Sequence, residues 1–159
     1  MKKQLVFLIL FVLMLPSCSS LQSVADKEQK ALQMKAKVES DDFTFEPLNA
    51  RSLSFNLIHL SSGYSLKISK DTLKVYLPYF GRAYTAPLNS TEGGITFIST
   101  RFERKLVMGK RPGNWQLNYK TLDTEHPILL YLEVWDNGTA HLNVNDSERQ
   151  SIAFDGYIE

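Results

Sequence analysis

From residue 42 to the C-terminus, apolar and polar residues alternate with a period of two. Segments such as Tyr64–Ile68, Leu73–Leu77 and Trp115–Tyr119 place every second side chain in an apolar set. Successive side chains of a β-strand point to opposite faces of the sheet, so this spacing predicts strands with one buried face. About nine such segments follow one another, with short turns and almost no helix between them. The pattern therefore predicts an all-β domain over residues 43–159, an antiparallel meander forming a small β-sandwich or barrel.

Two turn signals separate these segments. Ser62-Gly63 lies between two strand patterns, and Asn137-Gly138 lies between the segments ending at Trp135 and beginning at Thr139. Asn-Gly is typical of a two-residue hairpin loop, because a type I′ turn requires positive φ at both central positions. We therefore expect a type I′ hairpin at Asn137-Gly138.

A single helix is predicted ahead of the β-domain, over Ser23–Glu39. Ser23 can cap its N-terminus, and apolar residues recur at loosely helical spacing among lysines and glutamates. The apolar stripe is thin, which favours a tether over residues 18–42 that holds the domain away from a membrane rather than a core helix. An amphipathic helix lying on lipid is the alternative.

The N-terminus has the three parts of an export signal. Lys2 and Lys3 form a basic start, Leu5–Leu15 is an unbroken apolar run, and Cys18 follows small residues. The run has the length of a secretory signal and is shorter than the about 20 residues that span a bilayer. The segment ending at Cys18 resembles the bacterial lipobox, although Pro16 is an unusual residue at its position. We expect residues 1–17 to be a lipoprotein signal peptide; a signal cut by the ordinary peptidase is the alternative.

Lipidation of Cys18 would anchor the chain stably, since two or more acyl chains such as palmitate hold a protein at a membrane. Sorting rules of Gram-negative bacteria favour the outer membrane, because no Asp follows the cysteine. The acidic tract that directs some lipoproteins to the cell surface is also absent, which favours the periplasmic face. Cys18 is the only cysteine, so the domain must fold without an intramolecular disulfide.

Composition argues against several function classes. Removing Lys2 and Lys3 from the chain leaves 16 basic and 17 acidic side chains, a net charge of −1. Such a chain has no electrostatic footprint for nucleic acid. The histidines, His59, His126 and His141, have no metal-ligand spacing, and neither a nucleophile elbow nor a phosphate loop is present. We therefore expect no cofactor, no metal and no nucleic-acid partner.

The segment over residues 77–87 carries more information than a turn needs. Two prolines, Pro78 and Pro87, enclose three aromatic residues and an arginine, and Gly81 allows the backbone to bend. A rigid aromatic loop suits binding of a ligand or partner. Alternatively, Phe80 and a tyrosine cap the core and Arg82 pairs locally. The candidate binding residues are Tyr79, Phe80, Arg82 and Tyr84.

The same segment carries a family resemblance. The string Leu-Pro-Tyr-Phe-Gly-Arg-Ala-Tyr at residues 77–84, Gly-Gly-Ile-Thr-Phe at 93–97 and Asp-Asn-Gly-Thr-Ala at 136–140 resemble the lipoprotein family called domain of unknown function 4251 (DUF4251). The resemblance spans about residues 43–158 and implies an exported protein of Gram-negative gut bacteria, with no activity and no catalytic residue to carry over. These bacteria O-glycosylate Asp-Ser/Thr-apolar motifs, so Thr72 in Asp71-Thr72-Leu73 is a candidate that mass spectrometry of the native peptide would decide.

Three functional hypotheses follow. The first is a lipid-anchored, non-catalytic domain that contacts membrane lipid through Cys18 and binds a small apolar ligand or an envelope protein. The second is a hydrolase whose acidic residues, such as Glu92 or Asp136, meet only in the folded chain; two carboxylates about 5–10 Å apart in one cleft would favour it. The third is a structural envelope component with an exposed apolar patch in place of a pocket.

Overall fold

The computed structural model describes residues 19–52, 55–84 and 93–159. The predicted signal peptide and Cys18 lie outside the described residues. One helix, α1 (Ser19–Ser40), precedes ten strands. The strands are β1 (Phe43–Ser52), β2 (Phe55–His59), β3 (Ser65–Ser69), β4 (Thr72–Leu77), β5 (Ile95–Ser99), β6 (Phe102–Met108), β7 (Asn114–Thr121), β8 (Ile128–Trp135), β9 (Thr139–Asp146) and β10 (Ile152–Ile158).

The strands form one antiparallel sheet that curls into a nearly closed barrel. The spatial order is β5-β4-β3-β1-β10-β9-β8-β7-β6, and β2 pairs with the second half of β1 on the edge that β3 leaves free. The prediction of an all-β antiparallel domain is confirmed, and of its two architectures the barrel is the one observed. Most neighbours are consecutive in sequence, as expected of a meander.

The first and last strands pair at the centre of the sheet. The ladder between β1 and β10 joins Phe45 to Ile158 and continues to Ser52 and Ile152. Its register shifts between Pro47 and Asn49, so the residue between them is an extra one on β1, a β-bulge. A bulge also accommodates Pro47, which has no N–H to donate to the ladder.

The core fills the inside of the barrel with the apolar half of each alternating strand. Along β7, for example, Trp115, Leu117 and Tyr119 are buried while Gln116 and Lys120 are exposed. The largest fully buried side chains are Tyr119, Phe45, Phe154, Leu66, Ile68, Leu73, Leu77, Leu117, Leu130, Leu132, Leu142 and Ile152. Burial of this set provides the main favourable term for folding.

Helix α1 divides into an exposed N-terminal part and a docked C-terminal part. Residues 24–30 are exposed, whereas Met34 and Val38 are buried in the core. The interpretation of the whole helix as a tether is therefore wrong for its last two turns. Val24 and Leu32, two apolar residues of the helix, are 62% and 64% exposed, whereas Met34 is buried. A thin apolar stripe on a helix does not show which of its residues will be buried against the sheet.

A side-chain network joins the end of α1 to the barrel. Asp41 has a positive φ of 51° immediately after the helix. Its carboxylate accepts a hydrogen bond from the Tyr119 hydroxyl (2.8 Å) and pairs with the Arg104 guanidinium (2.5 Å). Arg104 also donates to the backbone carbonyl of Val38. The network thus connects the last turn of the helix to β6 and β7.

The buried Tyr119 lowers the free energy of unfolding at alkaline pH. Burial, reinforced by the charge of Asp41, raises the pKa of Tyr119 far above its ordinary value. Above pH of about 10 the unfolded chain ionises this tyrosine while the folded chain does not, so the free energy of unfolding falls by about 1.4 kcal/mol per pH unit. We expect Tyr119→Phe to remove this contribution in urea titrations between pH 9 and 11.5. Tyr131→Phe, at an exposed position on β8, is the matched control; equal slopes in the two variants would contradict the assignment.

The β8–β9 hairpin confirms the position of the predicted turn but not its type. Of Asn137 and Gly138, only the glycine has a positive φ, of 84°, and its N–H donates a hydrogen bond to the carbonyl of Trp135. The loop therefore has three residues, with the glycine in the left-handed position, rather than a type I′ pair. The Asn137 side chain accepts hydrogen bonds from the N–H and hydroxyl of Thr139, which stabilises the turn without positive φ at Asn137.

A short turn crosses the open seam of the barrel between β5 and β6. The Asp123 carboxylate accepts hydrogen bonds from the Ser99 hydroxyl and from the N–H groups of Thr100 and Arg101. These donors lower the pKa of Asp123 to about 2. Its stabilising contribution is therefore present above the ordinary pKa of about 4 and is lost as pH falls toward 2.

Candidate functional site

The predicted binding segment begins where β4 ends. Pro78 follows the last residue of the strand and is buried. Because proline cannot donate to a ladder, the chain leaves the sheet here and turns back across the end of the barrel. Residues 78–84 are described; residues 85–92, which include Pro87 and Glu92, lie outside the described residues.

Tyr79 fixes the path of this segment. Its hydroxyl lies 2.9 Å from the carbonyl oxygens of both Arg82 and Gln150, and the Arg149 guanidinium lies 5.4 Å from its ring centroid. Burial raises the pKa of Tyr79. A Cβ at Gly81 would lie 2.5 Å from the tyrosine hydroxyl, so a larger residue there would require the Tyr79 ring to shift. Tyr79 therefore has a structural role in the loop.

The four predicted binding residues do not form one cluster. Phe80 is partly buried and packs against the core. Arg82 and Tyr84 belong to a short backbone pairing with residues 148–150, in which Tyr84 N–H bonds the Glu148 carbonyl and Gln150 N–H bonds the Arg82 carbonyl. Both side chains point to solvent, and Tyr84 is 70% exposed. Tyr79 and Phe80 thus support the loop from inside, while Arg82 and Tyr84 lie on its surface.

An open depression of about 490 Å³ lies between this loop and the outer face of β4. Four aromatic rings line it together with backbone near Gly93 and Gly94 and the Thr96 side chain. The aromatic residues are Tyr64, Tyr76, Tyr79 and Phe80. The depression is a surface groove beside the filled barrel, and its walls offer apolar ring faces with hydroxyl groups.

Tyr64 and Tyr76 form one wall of the first depression. Their rings are stacked, with centroids 5.5 Å apart and an interplanar angle of 28°. Tyr76 is 51% exposed even though its neighbours Val75 and Leu77 are buried. In the sequence, both tyrosines fit the alternating pattern of ordinary strand residues. The available signal was the outward position of Tyr76 in the alternation of β4, where a large aromatic ring contributes nothing to the core.

A second depression of about 460 Å³ adjoins the first. Tyr76 and Thr96 line both, so the Tyr76 ring stands between them. The second depression extends over the outer face of β3, β4 and β5 toward Lys74 and Ile98. Together the two form one elongated surface along β4, which we call the β4 groove.

The remaining candidate residues lie elsewhere. His141 Nδ1 is 2.8 Å from a carboxylate oxygen of Asp155, and His59 Nδ1 is 2.6 Å from the side-chain oxygen of Asn49. Within the described ranges, no three histidine, aspartate or glutamate side chains are grouped as metal ligands would be. Asp136 lies at the β8–β9 turn beside Gly113, and no described residue lining the β4 groove is a carboxylate.

Thr72 opens β4 next to the tight β3–β4 turn and pairs with Ser69. The position is partly exposed, and O-glycosylation at Thr72 stays a prediction. No helix in the described part of the chain combines the length and hydropathy needed to cross a bilayer.

These features define a class of β-domain: a barrel-like antiparallel sheet with a filled interior, an N-terminal helix and an aromatic surface groove. Residues 25–158 match the family described as domain of unknown function (DUF4251), so the chain belongs to this family. It is also similar to a crystal structure of a DUF4251 family protein from Bacteroides eggerthii, with 14% identity over 81% of this chain and 86% of that chain and a TM-score of 0.62. At that identity the likeness shows the fold alone. No curated protein matches the chain.

Proposed function

We propose that this protein is a lipid-anchored, non-catalytic binding module of the bacterial envelope whose ligand site is the β4 groove. The observation that carries the proposal is the open depression of about 490 Å³ with four aromatic side chains in its wall. Binding sites are typically concave and mostly apolar, with a few polar groups that fix orientation. Tyr76 is exposed and stacks on Tyr64, which is partly buried against the core, and the flat face of the Tyr76 ring suits a ring-bearing ligand.

The loop after β4 would position the site rather than form its contact surface. Tyr79 holds the chain against Gln150, and Pro78 lies beneath the groove, so the wall is rigid before any ligand arrives. Preformed sites bind with a lower entropic cost. Arg82 and Tyr84 are left as exposed groups on the neighbouring surface, where an envelope protein could contact them.

The binding role is tested with neutral ring compounds and ligand-observed NMR. Hexopyranosides and bicyclic aromatic fragments should show binding to the wild-type protein in neutral detergent and at least tenfold weaker binding to Tyr76→Ala, because that variant removes the exposed ring between the two depressions. Tyr131→Ala, which removes a tyrosine 40% exposed on β8, should bind like the wild type. Equal loss in both variants, or no binding by any fragment, would count against a site in this groove.

The proposed membrane anchor rests on the sequence, in which the charged start, the apolar run and Cys18 resemble a lipoprotein signal. Residues 24–30 of α1, which follow it, are exposed. An exposed helical segment between Cys18 and the docked part of α1 would hold the barrel away from the lipid surface. Of the two membranes, we propose the outer one, with the domain on its periplasmic face.

Lipidation is tested by mass spectrometry of the N-terminal peptide from cells grown with labelled palmitate. We expect a peptide that begins at Cys18 and carries acyl chains, and a protein that fractionates with the outer membrane. Cys18→Ser should abolish labelling and leave the signal uncut. An unmodified peptide that begins elsewhere would show that the ordinary signal peptidase processes the chain.

A further inference from the structure

The outer face of β3 and β4 carries two lysines directly opposite each other. Lys67 and Lys74 are partners in the antiparallel register, and both are exposed. Like charges in directly opposed positions destabilise a sheet. The lysine pair therefore lowers the stability of the sheet, and the fold does not explain its presence.

No acidic residue of the described chain offsets this charge pair. Lys35 and Lys120 each have a glutamate oxygen at 3.9 Å, whereas neither Lys67 nor Lys74 lies within ion-pair distance of a carboxylate in the described ranges. The outward positions of the three strands carry hydroxyl, aromatic, aliphatic and lysine side chains. They are Ser65, Lys67, Ser69, Thr72, Lys74, Tyr76, Thr96 and Ile98.

Lys74 lies at one end of the β4 groove, and Lys67 is its cross-strand neighbour just outside the residues that line the two depressions. Lys74 lines the second depression, in which Tyr76, Thr96 and Ser65 are also lining residues. Tyr76 belongs to both depressions, so a ligand in contact with its ring can extend toward the aromatic loop on one side and toward Lys74 on the other. The groove therefore changes along its length from aromatic to cationic.

We propose that the β4 groove binds an acidic oligosaccharide, a deepening that rests on the proposed binding function. A sugar ring presents a face of C–H groups that stacks on Tyr76, and its hydroxyls match the hydroxyls of Ser65 and Thr96. Carboxylate groups on the same or the next sugar pair with Lys67 and Lys74 and offset their mutual repulsion. Two adjoining depressions fit a ligand of repeated rings better than a single compact molecule.

Charge balance favours this occupant over nucleic acid. The whole chain is close to neutral, and the cationic end of the groove consists of two side chains rather than a basic face. Nucleic-acid sites require several phosphate contacts along an extended positive surface. A short glycan with one or two carboxylates needs only the lysine pair.

The test measures calorimetric binding of a tetrasaccharide of galacturonic acid and of its neutral methyl ester to the full-length protein in neutral detergent. We expect the acidic tetrasaccharide to bind more tightly than the methyl ester, and its affinity to fall as the salt concentration rises. The double variant Lys67→Ala/Lys74→Ala should bind the acidic form about tenfold more weakly. It should fold at least as stably as the wild type, because it removes a repulsive pair.

A matched double variant controls for net charge. Lys105→Ala/Lys110→Ala also removes two exposed lysines, on β6 and in the loop after it, and should bind like the wild type. Tyr76→Ala should weaken the binding of both tetrasaccharides. The proposal would be overturned if both lysine double variants weakened binding of the acidic tetrasaccharide equally, or if Tyr76→Ala left that binding unchanged. Either result would show nonspecific electrostatic attraction.

Two further results separate this inference from the proposed function. If the neutral ester binds as tightly as the acid and both depend on Tyr76, the groove is a binding site but its specificity for acidic glycans is wrong. If neither tetrasaccharide binds while neutral fragments still depend on Tyr76, the glycan assignment is wrong and the binding function stands.

Discussion

Replacing Gly156 with alanine should lower the free energy of unfolding by about 3 kcal/mol, at the upper end of ordinary overpacking costs. An added Cβ would lie 2.0 Å from the Glu46 carbonyl oxygen and 2.8 Å from the Pro47 Cα. Both contacts are with backbone, at the bulge where β1 crosses β10. Relief would therefore require the central ladder to move, because no flexible side chain is available to shift.

Urea denaturation measures this effect, and the melting temperature should fall by roughly 10 °C. Gly93→Ala is the matched control, since its added Cβ meets no atom within 4 Å. That variant should stay within about 0.5 kcal/mol of the wild type. If Gly156→Ala were as stable as Gly93→Ala, the close approach of β1 to β10 would be wrong.

Loss of the Asp41 side chain should destabilise the protein by a similar amount, about 3 kcal/mol in Asp41→Ala. The variant leaves the buried Tyr119 hydroxyl and the Arg104 guanidinium without their shared acceptor. It also places alanine at a φ of 51°, a conformation that aspartate, asparagine and glycine tolerate better. Because Asp41 follows α1 directly, we expect the last turns of the helix to separate from the barrel first.

Two companion variants divide this effect into its causes. Asp41→Gly relieves the backbone but not the lost contacts, whereas Asp41→Asn keeps an acceptor for Tyr119 and a residue suited to positive φ. We expect Asp41→Asn to be the most stable of the three variants, Asp41→Gly to be intermediate and Asp41→Ala to be the least stable. Urea denaturation and hydrogen exchange at Met34 and Val38 measure this order. If Asp41→Gly matched the wild type, the side-chain network would contribute nothing.

Alternation along the strands was sufficient to predict most of the fold. Strand β7 illustrates why, since Trp115, Leu117 and Tyr119 alternate with polar residues and only one face can enter a core. Pairing between distant strands was not predictable in this way. Nothing in the local pattern of residues 43–47 indicates that residues 156–158 will lie beside them, because partner choice depends on the whole sheet.

The binding role of the segment after Leu77 stays a prediction, and its contacts could not be predicted from the sequence. The string after Leu77 does line a groove, yet Tyr79 is held by the carbonyl of Gln150, 71 positions away. Sequence spacing cannot reveal a contact of that separation. Tyr76 was the missed residue that local reasoning could have found, from its outward position between buried Val75 and Leu77. Lys67 and Lys74 become a pair only once the register of β3 and β4 is known.

The pairing of β1 with β10 also constrains when this domain can fold. The N–H of Glu159 bonds the carbonyl of Thr44, and β10 is the partner that β1 and β9 share. The ladder between β1 and β10 cannot form until residues 152–158 have been synthesised and are free to pair. Contacts of such long sequence separation slow folding. Loss of β10 would therefore leave the facing edges of β1 and β9 unpaired at the middle of the sheet.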